Sequence, residues 1–134
     1  MKKVVFDSYA LLELFEDGPG AQVVADLLTK GGDEVNIYLS EINLGEIYYI
    51  LFRRKNKEVA EEVIEYIQLD QSLNLVSAEW QRIKQAAQYK TKGGLSYADC
   101  FVLALAFDEK ASIVTGDPEI IKAAEEKELT VIEI

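Results

Sequence analysis

Residues Leu95–Glu119 read LSYADCFVLALAFDEKASIVTGDPE, and this stretch decides the fold. Ser96 stands three residues before Asp99, the spacing of a helix capping box with Asp in place of the usual Glu. The helix that follows, Cys100 to Phe107, is apolar on every side, which predicts a buried central helix. Ser112 to Thr115 then reads as a short strand, and Asp117 stands directly before Pro118. One carboxylate therefore opens a central helix, and a second lies just past the carboxyl end of a strand. In an open α/β sheet, ligands bind outside the carboxyl ends of the strands.

Working outward, β-branched and apolar runs predict strands at Lys3–Phe6, Val35–Leu39, Leu73–Val76 and Thr130–Ile134. Helical spacing marks Tyr9–Glu16, a segment from the turn at Pro19 to about Lys30, Glu41–Arg54, Glu58 to about Leu69, Ala78 to about Tyr89 and Pro118–Lys127. Ser40 is the expected N-cap of the third of these and Ser77 of the fifth. Pro19 suits the first turn of its helix. Helices separate nearly all the strands. That alternation predicts a three-layer α/β sandwich: a mostly parallel sheet of about five strands with helices on both faces. No repeat or low-complexity segment interrupts it, and the 134 residues read as one domain.

Composition narrows the chemistry. There is no His, which excludes serine-hydrolase triads, His general bases and His-ligated zinc. The single Cys has no partner for a disulfide and suggests a reducing, cytoplasmic setting. No apolar run reaches the ~18 residues of a membrane span, and no signal-peptide pattern precedes the strand that begins near Val4. Fourteen basic against 24 acidic residues give a net charge of −10. That argues against broad affinity for nucleic acid through a basic surface, and it suits a protein that holds cations.

Four acids stand apart. Asp7 follows the first strand, Glu46 lies on or beside the inward face of its helix, Asp99 opens the buried helix, and Asp117 follows the fourth strand. Singly, each has a bland role: Asp7, Asp99 and Asp117 as helix caps, Glu46 as a partly exposed helix acid. Jointly, three of the four fall at junctions on one edge of a parallel sheet, with no Lys or Arg there to neutralise them. Converging like charges are costly in a partly buried site, and a divalent cation removes that cost. Oxygen-only donors select hard ions such as Mg²⁺ or Mn²⁺. Such ions activate water and clamp the oxygens of a phosphoryl group in displacement. Gly45, beside Glu46 in mid-helix, predicts a close approach by another backbone or a ligand.

Asp7-Ser8 after the first strand, Glu46 in the helix after the second, Ser96-Tyr97-Ala98-Asp99, and Thr115-Gly116-Asp117 together resemble the PIN-domain nucleases. They look most like the small toxins of VapBC-type toxin–antitoxin pairs, over nearly the whole chain. The resemblance implies a metal-dependent endoribonuclease acting on single-stranded RNA. Asp7, Glu46, Asp99 and Asp117 match the family's metal-binding acids, and Thr115 and Ser8 its supporting hydroxyls. It further implies a cognate antitoxin partner and a homodimer, formed through apolar faces of the early helices.

Arg53, Arg54, Lys55, Lys90 and Lys92 are candidates for phosphate contact, or equally a solvated helix end and loop. Tyr48, Tyr49 and Phe52 are expected in the core ahead of a base-stacking role, Cys100 in the core, and Trp80 in helix packing. Two other functions compete. A haloacid-dehalogenase-like phosphatase would use Asp7 as nucleophile, but it wants a second Asp two residues on, where Tyr9 stands. A PIN-like module without catalysis would bind RNA or protein only.

Overall fold

The computed structural model describes residues Met1–Ile134. In chain order the elements are β1 (Lys2–Phe6), α1 (Ser8–Phe15), α2 (Ala21–Lys30), β2 (Val35–Ser40), α3 (Glu41–Arg54) and α4 (Lys57–Leu69). They continue with β3 (Asn74–Val76), α5 (Trp80–Lys90), α6 (Tyr97–Glu109), β4 (Ser112–Thr115), α7 (Pro118–Glu126) and β5 (Val131–Glu133). The five strands form one sheet in the order β3-β2-β1-β4-β5, parallel at every pairing. The expected α/β sandwich is what the chain forms.

The period-two alternation of a strand sorts the core onto two faces. Val4 and Phe6 of β1 pack with Ile37 and Leu39 of β2 against the side that carries α1 to α4. Val5 and Ile113 point the other way, onto Val102, Leu105 and Ala106 of α6 and Ile120 and Ala124 of α7. All of Cys100 to Ala106 is buried. An all-apolar helix is stable only where it is covered on every side, and α6 lies between the sheet and α5. No helix is long and apolar enough to cross a membrane.

Several local expectations need correcting. Ser77 does not cap α5, which begins at Trp80 behind Glu79 with no side-chain cap. The Ser77 hydroxyl instead donates to Glu41 Oε1 at 2.7 Å, tying the end of β3 to the start of α3. Pro19 lies ahead of α2, whose N-cap is Gly20. Trp80 is 65% exposed. The buried stripe of α5 centres on Ala86, and Trp80, six residues earlier, falls about 120° around the helix from it. Tyr49 and Phe52 are exposed. Tyr48 packs partly into the core and its hydroxyl donates to Glu61 at 2.8 Å. No protein atom comes within 4 Å of a Cβ built on Gly45, so no backbone crosses there.

The order of strands sets the site. From β1 the chain goes first to one side, to β2 and β3, then to the other, to β4 and β5. The reversal leaves a crevice between β1 and β4 at their carboxyl ends. Phe6 pairs with Val114, so one step further along the same register Asp7 faces Thr115.

Candidate metal and active site

Asp7 is the N-cap of α1. Its Oδ1 accepts the N–H of Ala10 at 2.8 Å, and its Oδ2 accepts the hydroxyl of Thr115. The Thr115 Oγ1 in turn accepts the N–H of Asp117 at 3.0 Å. Asp117 caps α7 by accepting the N–H of Glu119 at 2.9 Å. One threonine therefore links two acids that are 110 positions apart in the sequence, across the crevice between β1 and β4. Both Asp7 and Thr115 are buried.

Asp99 enters from α6. The Ser96 hydroxyl accepts its N–H at 3.1 Å, which forms the expected cap. Glu46 enters from α3, half-buried. Asn43, one turn earlier, is fully buried. Its Nδ2 reaches Glu46 Oε1 at 3.5 Å and the Ala98 carbonyl at 3.3 Å, bridging α3 to the start of α6. The Asn43 Oδ1 has no hydrogen-bond partner in the protein.

Electrostatics ties the four acids together. Burial pushes the Asp7 carboxyl from its ordinary 3.8 up to about 7. The Thr115 and Ala10 hydrogen bonds pull it back in part, and the charges of Asp99 and Asp117 add to the rise. Burial likewise lifts Asp99 to about 6; the bond to Ser96 opposes this, and Glu46, Asp117 and Glu119 reinforce it. No cation offsets them, because the three ion pairs of the protein lie elsewhere, at Lys3–Glu109, Arg54–Glu16 and Arg82–Asp108.

Other candidate residues stay apart from this network. The Ser8 hydroxyl makes no hydrogen bond to any of the acids, although Ser8 begins α1 beside Asp7. Arg54 is held by Glu16 at 2.6 Å. Arg53 and the C-cap Lys55 lie at the far end of α3, about 10–14 Å along the axis from Glu46 at 1.5 Å per residue. Lys90 donates to the Leu95 carbonyl at 2.7 Å and braces the loop before α6.

Glu119, Asn43 and Tyr9 join the site without having been singled out in the sequence. Glu119 was signalled only by its place in the first turn behind the Asp117 cap. Asn43 carries a weak signal as a polar residue on the apolar stripe of α3. Tyr9 presses its ring over Gly116, where an added Cβ would stand 2.5 Å from the ring and 2.8 Å from the Ile134 carbonyl. Gly116 is therefore the one residue that lets the chain pass between Thr115 and Asp117.

Whether these residues suit a divalent ion turns on donor type and number. Every candidate donor is a hard oxygen, and the one thiol, Cys100, is buried in the core. No three of the acids stand close enough to cage an ion among themselves. Mg²⁺ does not require a cage: it is commonly held by one or two carboxylates, with waters and substrate phosphate completing the shell. The donor set fits such an ion, and one or two of Asp7, Asp99, Glu46 and Asp117 could hold it.

The profile of the PIN domain family matches residues 4–126. The chain belongs to the PIN-domain family. Compared with curated protein sequences, it matches none. This PIN domain superimposes on VapC20 of Mycobacterium tuberculosis, a toxin that cleaves the sarcin–ricin loop, with TM-score 0.75 at 17% identity; the match covers 90% of this chain and 94% of that one. VapBC2 of Rickettsia felis, solved with a DNA fragment from its promoter, gives 0.71 at 18% identity and covers 98% of each chain. A toxin–antitoxin complex from Klebsiella pneumoniae gives 0.63 at 16% identity, covering 98% and 99%. At these identities the likeness is one of fold.

Proposed function

We propose that this PIN domain, residues 1–134 taken as one unit, is an endoribonuclease dependent on Mg²⁺ or Mn²⁺ and the toxin member of a toxin–antitoxin pair. One observation carries the reading: Asp7 and Asp99 converge at a strand-edge crevice with raised pKa values and no cation to offset them. A protein that only needed helix caps has no reason to crowd them. When bound, a divalent ion supplies positive charge against phosphate oxygens and lowers the pKa of water. The chain's own part is positional. Thr115 fixes the Asp7 carboxylate and the backbone of Asp117, and Asn43 holds Glu46 toward α6. The α1 cap prevents the Asp7 carboxylate from turning away, and the α6 cap fixes the backbone of Asp99.

The test is incubation of single-stranded RNA with purified protein, in Mn²⁺ and in chelator, beside Asp99→Asn. Cutting that needs Mn²⁺ and is lost in the variant supports the reading. Binding without cutting in Mn²⁺ favours the non-catalytic module instead.

Two partners follow from the same reading. The antitoxin places an Arg over the acids, since its fork pairs carboxylates bidentately. Expression of this chain alone should therefore slow growth, and escape mutations should fall on the four acids. A second copy packs on α3 and α4, where Tyr49, Phe52, Tyr66 and Leu69 are exposed. Sedimentation of the purified protein checks the dimer.

A further inference from the structure

Beyond the acid edge, the loop from α5 to α6 and the outer face of α7 enclose a cavity of about 400 Å³. Lys92 enters it from the loop, Lys122 from α7 and Lys127 from the C-cap just past it. None of the three belongs to an ion pair. Glu119 and Glu126 share the wall, so the lining carries three positive charges against two negative. In a chain of net charge −10 that is a local reversal of sign.

The floor is shaped by backbone. Gly93 and Gly94 have φ of 73° and 85°, a region that side chains rarely enter, and a Cβ on either would meet nothing within 4 Å. The loop therefore offers bare main chain to whatever occupies the cavity. The N–H groups of Gly94 and Leu95 find no backbone acceptor. Open N–H groups in such turns bind anions. Tyr89 forms the apolar wall, with Lys127 Nζ held 4.7 Å from the centre of its ring.

The cavity also adjoins the acids. Its rim residue Glu119 donates its N–H to Asp117. Leu95, on the opposite rim, precedes the Ser96 cap of Asp99. A strand whose phosphate lay at the acids would have its neighbouring nucleotide at this rim.

We propose that the cavity is a subsite for single-stranded RNA, seating the phosphate and sugar of a nucleotide that flanks the one cut. Lys92 and Lys122 neutralise the phosphate, the Gly94 and Leu95 N–H groups donate to its oxygens, and Tyr89 lines the side where the sugar or base rests. The subsite explains how so acidic a protein holds RNA: the attraction is confined to one cavity beside the cutting point. It rests on the ribonuclease reading for the identity of the strand, and its test is separable from that reading.

The experiment measures binding of a fluorescein-labelled single-stranded 12-mer RNA in chelator, by anisotropy, over a range of salt concentrations. Wild type is compared with Lys92→Gln/Lys122→Gln and with Lys2→Gln/Lys30→Gln, which changes charge equally at the amino-terminal edge of the sheet. All four lysines are exposed, so the fold is retained. The groove variant should lose about tenfold or more in affinity. Its slope of log K against log salt should flatten by about 1.4, from two lost contacts at ~0.7 each. The control should change less than twofold. In Mn²⁺ the groove variant should raise KM with kcat little changed.

Equal loss in the control, or no RNA binding by wild type, overturns the subsite. So does poly-glutamate binding as tightly as RNA with the same dependence on Lys92 and Lys122, which makes the cavity a dock for an acidic protein segment. RNA binding that depends on these lysines without any cutting in Mn²⁺ keeps the subsite and removes the nuclease. Cutting with unchanged KM and salt slope in the groove variant does the reverse.

Discussion

The junctions β1–α1 and β4–α7 are built alike and end differently. In each, an Asp follows a parallel strand and caps the next helix, Asp7 through Ala10 and Asp117 through Glu119. Each touches Thr115. Asp7 follows Phe6 directly and is 2% exposed. Asp117 stands beyond Gly116, two residues past Thr115, which lies level with Asp7, and is only half-buried. The single glycine moves the second carboxylate out of the crevice. The lesson is that capping and the proposed catalytic role need not compete for a residue. A cap fixes where the carboxylate points, and depth in the crevice decides how strongly it wants a cation.

The sharpest way to break this comparison is to remove charge while keeping shape. Asp7→Asn and Asp99→Asn should each lower RNA cleavage on the order of 10²–10³-fold, with far-ultraviolet circular dichroism unchanged. Thr115→Val, which takes the shared hydroxyl from both junctions, should cost about 10–100-fold. A Thr115→Val protein that cuts at the wild-type rate would mean the two junctions work independently.

Metal should separate the junctions by stability. At Mn²⁺ 100-fold above its dissociation constant, wild type gains about 2.7 kcal/mol, roughly 5–10 °C in melting temperature for a domain of this size. Asp7→Asn should respond less. In chelator at pH 7 it should melt at or above wild type, since Asn still caps α1. A variant several degrees less stable in chelator would reduce Asp7 to a structural cap.

Proton linkage gives a finer measure of depth. Folded Asp7 keeps its proton up to about pH 7, against 3.8 ordinarily. The folded state thus binds that proton more tightly, and the contribution to stability is whole below about pH 4 and lost as pH rises through about 7. Asp99 acts in the same direction up to about pH 6. Urea unfolding in chelator from pH 4 to 8 should show wild type losing stability relative to Asp7→Asn as pH rises. A difference that stays flat with pH places Asp7 in contact with solvent.

The smallest effect is a control away from both junctions. Gly45→Ala fills open space on α3 and should stabilise by about 0.5–1 kcal/mol. If cleavage falls while stability rises, substrate passes over that face of α3 beside Glu46.

The fold was legible because its signals are periodic. Val4, Val5 and Phe6 announce a strand buried on both faces, and Cys100 to Ala106 a helix covered all round. The junction acids were legible only together: each alone reads as a helix cap, and it is three of them at one edge of a parallel sheet, with no Lys or Arg beside them, that points to a site. What escaped was set by partners distant in sequence. Nothing near Trp80 says that the stripe of α5 will centre on Ala86. Nothing near Ser77 says that Glu41 will be in reach. Glu119, Lys122 and Lys127 are ordinary surface residues of α7 and its C-cap until the Gly93–Gly94 loop is laid beside them. Ser8 was placed with the acids by the family resemblance, and its hydroxyl bonds to none of them.

The bond between Thr115 and Asp7 spans 108 positions of the chain. A ribosome adding 5–20 residues per second takes roughly 5–20 s to travel that distance. Throughout that interval Asp7 exists without its threonine, without Asp117 and, for most of it, without Asp99. Pairing of β4 beside β1 is the long-range closure that a parallel sheet makes slowly. In the proposed role, a growing chain still attached to messenger and ribosomal RNA is therefore harmless to both. The order of synthesis itself would delay the proposed activity until β4 and Asp117 have been made.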